Sequence, residues 1–217
     1  MPIKYVLLLP ILIALLASGC SKPQPPTINL YRAVHIGDID QIERNLYWGA
    51  KVNQPGPDGL TALHVATRKG GLVVVKMLLE NGADIEAPDQ TGLTPLATAL
   101  LARNTLVADY LVKQGAKIDP NALLQLTVRQ GQADRDVMDF LVRHGADLNA
   151  PDREGNSPLH LAILGGHRVI AKYLVQKGAD IDTKDATGRT PLELANERGE
   201  RDIAQMLEQF GATASSR

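Results

Sequence analysis

Aspartates recur along this 217-residue chain at a spacing regular enough to suggest a calcium site or a pair of acid–base catalysts. They are Asp84, Asp89, Asp147, Asp152, Asp180 and Asp185. Half of them stand three residues before a glycine, which is typical of a tight turn, and the other half follow a Gly-Ala pair. We therefore predict that all six are turn or cap residues.

Five histidines are the other candidates for catalysis or metal binding. The chain has no His-Glu-x-x-His pair, and its single cysteine, Cys20, excludes a zinc site with several thiolates. It also lacks the phosphate-binding Gly-x-x-x-x-Gly-Lys-Ser/Thr loop and the Gly-x-Ser-x-Gly nucleophile turn. We therefore predict no catalytic residue, no cofactor and no metal. His64 and His160 share one context, Thr/Ser-x-Leu-His, which leaves a structural role or a metal or catalytic role open at this point.

The elements that would position these residues repeat along the chain. The segment Asp152–Ala162 combines a turn glycine, a capping Ser157 and Pro158 at the first helical position, so it predicts a turn followed by a helix. The same pattern returns at Asp89–Ala99 and Asp185–Ala195. Gly-Ala pairs at 49–50, 82–83, 115–116, 145–146, 178–179 and 211–212 are separated by steps of 33, 33, 30, 33 and 33 residues. A fixed period in this range is typical of a solenoid.

The repeat motifs resemble those of the ankyrin-repeat family. Thr/Ser-Pro-Leu-His-x-Ala at the start of the unit and Leu-Leu-x-x-Gly-Ala-Asp at its end support the resemblance over about residues 28–212. The resemblance implies an all-α solenoid of about six helix-turn-helix repeats with short β-hairpin tips. It also implies that His64 and His160 form hydrogen bonds within and between the turns.

The period divides the chain into capping and internal repeats. The fourth repeat lacks the Asp-x-x-Gly-x-Thr-Pro start, and Asp119-Pro120 can cap a helix directly, so we predict that its tip is missing. The predicted units are an N-terminal capping repeat at 28–53, repeats at 54–86 and 87–119, the degenerate repeat at 120–149, a repeat at 150–182, a C-terminal capping repeat at 183–212 and a tail at 213–217.

The first 19 residues have the pattern of a secretory signal. Lys4 precedes an apolar stretch that is too short to span a bilayer, and Ala17-Ser18-Gly19 leads directly to Cys20. This arrangement resembles the lipobox of bacterial lipoproteins, although Ala17 stands where that family usually has leucine. The resemblance implies cleavage before Cys20, acylation of Cys20 and a Pro-rich tether over 20–27; the alternative is an ordinary signal with an incidental cysteine. We expect a lipid-anchored protein of the bacterial envelope, and Ser21 favours the outer membrane facing the periplasm.

Charge and aromatic content exclude some functions. Without the signal, 22 basic and 24 acidic residues remain, so the surface is not the basic one that nucleic acids require. Phe, Trp and Tyr make up 4% of the chain, which suits a solenoid of small aliphatic side chains better than a globular enzyme. We expect a monomer.

Ankyrin domains bind other proteins through their concave groove and tips, so the resemblance implies contact residues at matching positions. On the tips these are Pro57, Asp58, Leu60, Gln90, Thr91, Leu93, Arg153, Glu154, Asn156, Ala186, Thr187 and Arg189, and on the inner helices they are Arg68, Lys69, Leu101, Ala102, Leu164, Glu197 and Arg198. The four leucines either form an exposed apolar strip flanked by arginine or pack under neighbouring tips.

These observations favour a non-catalytic protein-binding module that holds one protein partner. Two specific hypotheses are an immunity-type inhibitor of a toxin delivered to the periplasm and a protective scaffold for a periplasmic enzyme. A third hypothesis, an envelope enzyme, is disfavoured by the missing catalytic motifs.

Overall fold

A computed structural model describes residues 22–213 as twelve α-helices in six consecutive pairs, with no β-strand in that range. The predicted signal peptide, Cys20 and nearly all of the predicted tail lie outside the described residues. We call the first helix of each pair inner and the second outer. The pairs are α1 (Leu30–Ile36) with α2 (Ile39–Tyr47), α3 (Ala62–Arg68) with α4 (Leu72–Glu80), α5 (Pro95–Leu101) with α6 (Thr105–Lys113), α7 (Pro120–Arg129) with α8 (Arg135–Arg143), α9 (Pro158–Leu164) with α10 (Arg168–Gln176), and α11 (Pro191–Glu197) with α12 (Arg201–Gln209).

The inner helices begin where the repeat motif predicts. The side chains of Thr94 and Ser157 accept hydrogen bonds from backbone N–H groups three residues on, and Pro95 and Pro158 occupy the first turn. A capping hydroxyl satisfies an otherwise unpaired N–H of the helix end, and proline has no N–H to leave unpaired there. The all-α solenoid of six helix pairs is therefore confirmed.

The buried aliphatic side chains form one continuous core between the inner and outer helices. Phe140 is the only Phe, Tyr or Trp that is buried within residues 22–213. No helix of the described residues is long and apolar enough to cross a membrane.

The fourth repeat is irregular in the predicted way. Asp119 accepts a hydrogen bond from the N–H of Ala122 at 3.0 Å, so α7 begins directly at Pro120 without a tip before it. The loop from α7 to α8 is longer than the other loops within repeats. α5 and α7 touch over fewer residues than the other neighbouring inner helices, which makes this the sparsest junction between consecutive inner helices of the described chain.

The chain before α1 lies along α2. The N–H of Thr27 donates to Gln41 Oε1 at 2.9 Å, Asn45 Nδ2 donates to the Ile28 carbonyl at 2.8 Å, and Trp48 Nε1 donates to the Pro23 carbonyl at 3.2 Å. The three side chains follow each other at spacings of four and three residues, which places them on one helix face. The predicted tether is thus held against the first repeat from Pro23 onward.

The turn between α5 and α6 contains a backbone conformation that glycine normally supplies. Arg103 has φ 61°, the only positive φ of a non-glycine residue in the range 22–213, whereas Gly70 and Gly166 occupy the matching positions of other repeats. A non-glycine side chain in this left-handed region is disfavoured by about 1–2 kcal/mol, so a glycine at this position would stabilise the folded chain. The greater freedom of glycine in the unfolded chain offsets part of that stabilisation.

We therefore expect Arg103→Gly to raise the free energy of unfolding by about 0.5–1 kcal/mol. The loss of the ion pair between Arg103 and Asp134, at 3.8 Å and largely exposed, costs little. The measurement is urea unfolding followed by circular dichroism. Arg103→Ala is the control, because it loses the same ion pair and keeps the unfavourable backbone; a glycine variant less stable than the alanine variant would contradict the expectation.

Candidate protein-interaction site

Four tight turns project between consecutive repeats, at residues 56–60, 89–93, 152–156 and 185–189, and we call them the tips. Each is closed by a backbone hydrogen bond between its first N–H and its last carbonyl, at 2.8 to 2.9 Å. Three of the tips begin with an aspartate. Asp89 Oδ1 accepts hydrogen bonds from the Thr91 hydroxyl and from the N–H groups of Thr91 and Leu93, at 2.7, 2.7 and 2.9 Å. Burial alone would raise the pKa of Asp89, but these three hydrogen bonds, the Thr91 hydroxyl first, hold it below its usual value.

The other recurring aspartates also act within turns. Asp84, Asp147 and Asp180 each accept a hydrogen bond from the N–H two residues on, at 2.8 to 2.9 Å. The predicted turn and cap roles are therefore confirmed for these carboxylates. Among residues 22–213, no group of three His, Cys, Asp or Glu side chains is placed to hold a metal ion.

Two buried histidines form hydrogen bonds to the last residues of two tips. The ring of His64 bonds to the Thr61 hydroxyl through Nδ1 at 2.8 Å and to the Leu93 carbonyl through Nε2 at 3.0 Å. His160 makes the matching bonds to the Ser157 hydroxyl and to the Arg189 carbonyl, at 2.8 and 3.1 Å. A carbonyl can only accept, so Nε2 carries the proton in both rings. The predicted bonds within and between the turns are confirmed.

The concave side of the second and third repeats contains an apolar groove with a volume of about 300 Å³. We call it the leucine groove. The predicted contact residues Leu60, Leu93, Leu101, Ala102 and Arg68 line it together with Asp89 and Thr98. The fold thus brings five of the predicted residues into one place, whereas Asp89 and Thr98 were not predicted as lining residues.

The leucines of the groove differ in what they contact. All three are half-buried, but only Leu60 also packs against the main core. Leu93 and Leu101 keep their partly exposed surfaces in the groove. The side chain of Arg68 is exposed and makes no hydrogen bond or salt bridge with any other described residue, so its five donors remain available at the edge of an apolar surface.

Predicted contact residues in the fifth and sixth repeats are more engaged within the chain. Asn156 is only 7% exposed, and Leu164 packs against the core. Arg189 is paired with Asp185 and Glu197, each at 2.8 Å. Arg153, Glu154, Gln90 and Thr91 are exposed on their tips. The leucine groove therefore combines apolar surface with an arginine that forms no hydrogen bond or salt bridge to another described residue.

One residue of the concave face was not predicted. Arg129 stands two residues before Gly131, just as Leu101 stands two before Arg103 and Leu164 two before Gly166. It pairs with Asp152, the first residue of the following tip, at 2.6 Å. The sequence would have identified Arg129 if positions had been counted backward from the loop between the inner and outer helices. Counting forward from the tip fails in this repeat because the tip is absent.

A family model described as "Ankyrin repeats (3 copies)" matches residues 30–122 and 124–216. The chain belongs to the ankyrin-repeat family. The human ASB11 ankyrin repeat domain is 25% identical, with a TM-score of 0.69 over 87% of this chain and 86% of that one. A chain in the structure of a predatory endopeptidase from Bdellovibrio bacteriovorus in complex with an immunity protein is 24% identical, with a TM-score of 0.67 over 85% of this chain and 98% of that one.

A curated relative is a transient receptor potential channel, subfamily A member 1, from Drosophila melanogaster, which is 27% identical over 135 residues. The match covers 62% of this chain but only 9% of the channel. Ankyrin repeats are protein-interaction modules, and the ankyrin-repeat fold is typically a scaffold without catalytic activity. The leucine groove of this ankyrin-repeat chain is therefore a candidate surface for another protein.

Proposed function

We propose that this protein is a lipid-anchored ankyrin-repeat lipoprotein of a bacterial cell envelope that holds one protein partner in the leucine groove and catalyses no reaction. The observation that carries the proposal is the combination of Leu93, Leu101 and the unpaired Arg68 in one groove. Interface residues that dominate binding are commonly buried apolar side chains and arginines at the centre of the contact. A partner that inserts an apolar side chain and places a carboxylate near Arg68 would use both features.

The sequence around Cys20 supports the location. A short apolar segment followed by small residues and the only cysteine of the chain is the pattern of a lipoprotein signal. Each buried CH₂ contributes about 0.8 kcal/mol, so two or three acyl chains would hold the protein durably. Ser21 favours the outer membrane, with the ankyrin repeats in the periplasm. The chain would act there as a monomer that requires no cofactor.

A second candidate function is immunity-type inhibition of a toxin delivered to the periplasm. A chain of similar fold occurs in the solved complex of a predatory endopeptidase with an immunity protein. A rigid groove held close to the membrane would suit the capture of an incoming enzyme. A neighbouring gene for a secreted, envelope-degrading enzyme would favour this candidate, whereas an abundant resident enzyme as partner would favour the protective scaffold.

The experiment is cross-linking in cells followed by purification and mass spectrometry of three forms: wild type, Leu101→Asp and Leu106→Asp. We expect Leu101→Asp to lose the partner, because a charge in the centre of an apolar contact costs about 2 kcal/mol or more, or about 30-fold in affinity. Leu106→Asp is the matched control, since Leu106 lies in the same repeat on the outer helix and is already 68% exposed. It should retain the partner.

Two outcomes would contradict the proposed use of the groove. A partner that Leu101→Asp retains does not bind in the groove, and a partner lost equally in both variants shows no preference for the groove over the outer helices. The anchor is tested on the same material by the mass of the mature N-terminus. We expect acylated Cys20 in the membrane fraction and no acylated form for Cys20→Ala; an unmodified cysteine in the wild type would refute the lipid anchor.

A further inference from the structure

An exposed aromatic pair stands on the first repeat. Tyr47 and Trp48 are 48% and 49% exposed, and their rings meet edge to face with centroids 5.8 Å apart. Terminal repeats of a solenoid normally present a polar outer face to water. The chain contains only one tryptophan, so its position on a capping repeat, half in solvent, requires an explanation.

The aromatic pair lies where the chain enters the solenoid. Trp48 Nε1 donates to the carbonyl of Pro23, and Gln41 and Asn45 hold Thr27 and Ile28 on the same helix face. Pro23 is three residues after Cys20, a distance of at most about 10 Å in extended chain. An acyl group on Cys20 therefore cannot enter a bilayer without bringing this end of the first repeat to the bilayer surface.

Tryptophan and tyrosine are the side chains that prefer this environment. Their rings are apolar and carry one polar group, so they concentrate at the boundary between headgroups and acyl chains. The charges of the same region give little attraction to an anionic surface, since four basic residues exceed three acidic ones by only one; they are Lys22, Arg32, Arg44 and Lys51 against Asp38, Asp40 and Glu43. Attraction of the rings to the lipid interface, rather than net charge, would supply the contact.

We propose that Tyr47 and Trp48 form a lipid-contact site that seats the solenoid end-on at the membrane surface, with the first repeat at the lipid. This inference rests on the proposed lipid anchor, since two rings alone would not hold the protein on a bilayer. Packed helices are separated by about 8–10 Å, so stacking away from the membrane places the leucine groove roughly 20 Å above the first repeat. The groove would then face partners in the aqueous layer beside the membrane.

The test uses Cys20 and Trp48, the only cysteine and the only tryptophan of the sequence. The form that begins at Cys20 contains all described helices and their common core, and its single thiol is coupled to a maleimide lipid in phosphatidylcholine vesicles. Circular dichroism verifies the fold. Fluorescence of Trp48, the only tryptophan, should move to shorter wavelength and be quenched when the acyl chains are brominated. The Cys20→Ser form mixed with the same vesicles should show neither change.

The matched control moves the reporter to the other end of the solenoid. In the double variant Trp48→Phe with Phe210→Trp, the tryptophan replaces an exposed ring directly after α12 and should behave as in water. Coupled wild type without a shift or quenching would overturn the lipid contact and leave the aromatic pair as a surface for another protein. Equal quenching at both ends would overturn the end-on arrangement. Because the coupling is chemical, neither result depends on whether cells acylate Cys20, which the mass of the mature N-terminus tests separately.

Discussion

Phe140→Ala is expected to lower the free energy of unfolding by about 3–5 kcal/mol, the usual cost of removing a buried phenylalanine. Phe140 is fully buried in α8 and contacts the His144 ring, with the centroids 4.4 Å apart and the ring planes tilted by 45°. The rest of the buried core consists of aliphatic side chains and two methionines, Met138 and Met206, so no other large ring can fill the space. The loss would be measured by urea unfolding.

The loss of stability in Phe140→Ala should differ between repeats, because repeats of a solenoid contact only their neighbours. The junction between α5 and α7 is sparse, and no buried histidine braces it. Ala97 stands at the histidine position of the third repeat, and the fourth repeat has no tip to receive such a bond. Hydrogen exchange of Phe140→Ala should therefore show protection lost from α7 and α8 onward while α1 to α6 remain protected.

Phe210→Ala provides the control, since Phe210 is exposed and its truncation should change the free energy of unfolding by no more than about 0.5 kcal/mol. If Phe140→Ala lowered protection equally in all six helix pairs, the junction between the third and fourth repeats would be as strongly coupled as the others. That result would contradict the proposed weak junction.

Local signals were sufficient to predict the fold. Ser157-Pro158 and Asp119-Pro120 each specify a helix start by the chemistry of two adjacent residues, and the structure has helices at both places. The period of 33 then places the other copies once one is recognised, apart from one step of 30 residues at the fourth repeat. Such signals involve neighbours in sequence, so one sequence suffices to interpret them.

Contacts between distant residues could not be predicted in the same way. Leu60 and Leu93 both line the groove, but only Leu60 also packs against the core. This difference depends on how two neighbouring repeats are placed relative to each other. The bond from Trp48 to Pro23 joins residues 25 positions apart and follows no period. Arg103 keeps the glycine conformation because the surrounding helices impose it, although its own side chain disfavours it.

His160→Ala is expected to cost about 2–4 kcal/mol of unfolding free energy, because it leaves a cavity, removes the acceptor of the buried Ser157 hydroxyl proton and removes one of the two hydrogen bonds to the Arg189 carbonyl. The Ser157 hydroxyl and the Arg189 carbonyl both lose their bond to the ring. The bond to Arg189 also fixes the tip at residues 185–189, so this tip should lose hydrogen-exchange protection before the helices do. His35→Ala is the control, since His35 is exposed at the end of α1 and its removal should have little effect.

The pH dependence distinguishes a lost hydrogen bond from a general cavity. Burial lowers the pKa of His160 below its ordinary value of about 6.5, although the Arg189 carbonyl and the Asp185 carboxylate favour the charged ring. As the pH falls through about 6.5, His160 therefore takes up a proton in the unfolded chain but not yet in the folded chain. On acidification the wild type loses this contribution to its stability, whereas His160→Ala has no ring at this position to titrate. The difference in the free energy of unfolding between the two proteins should therefore shrink from about pH 7 to pH 5. A difference that grew toward acid pH would mean that the folded protein holds His160 in its charged form, which is incompatible with a ring kept neutral by burial.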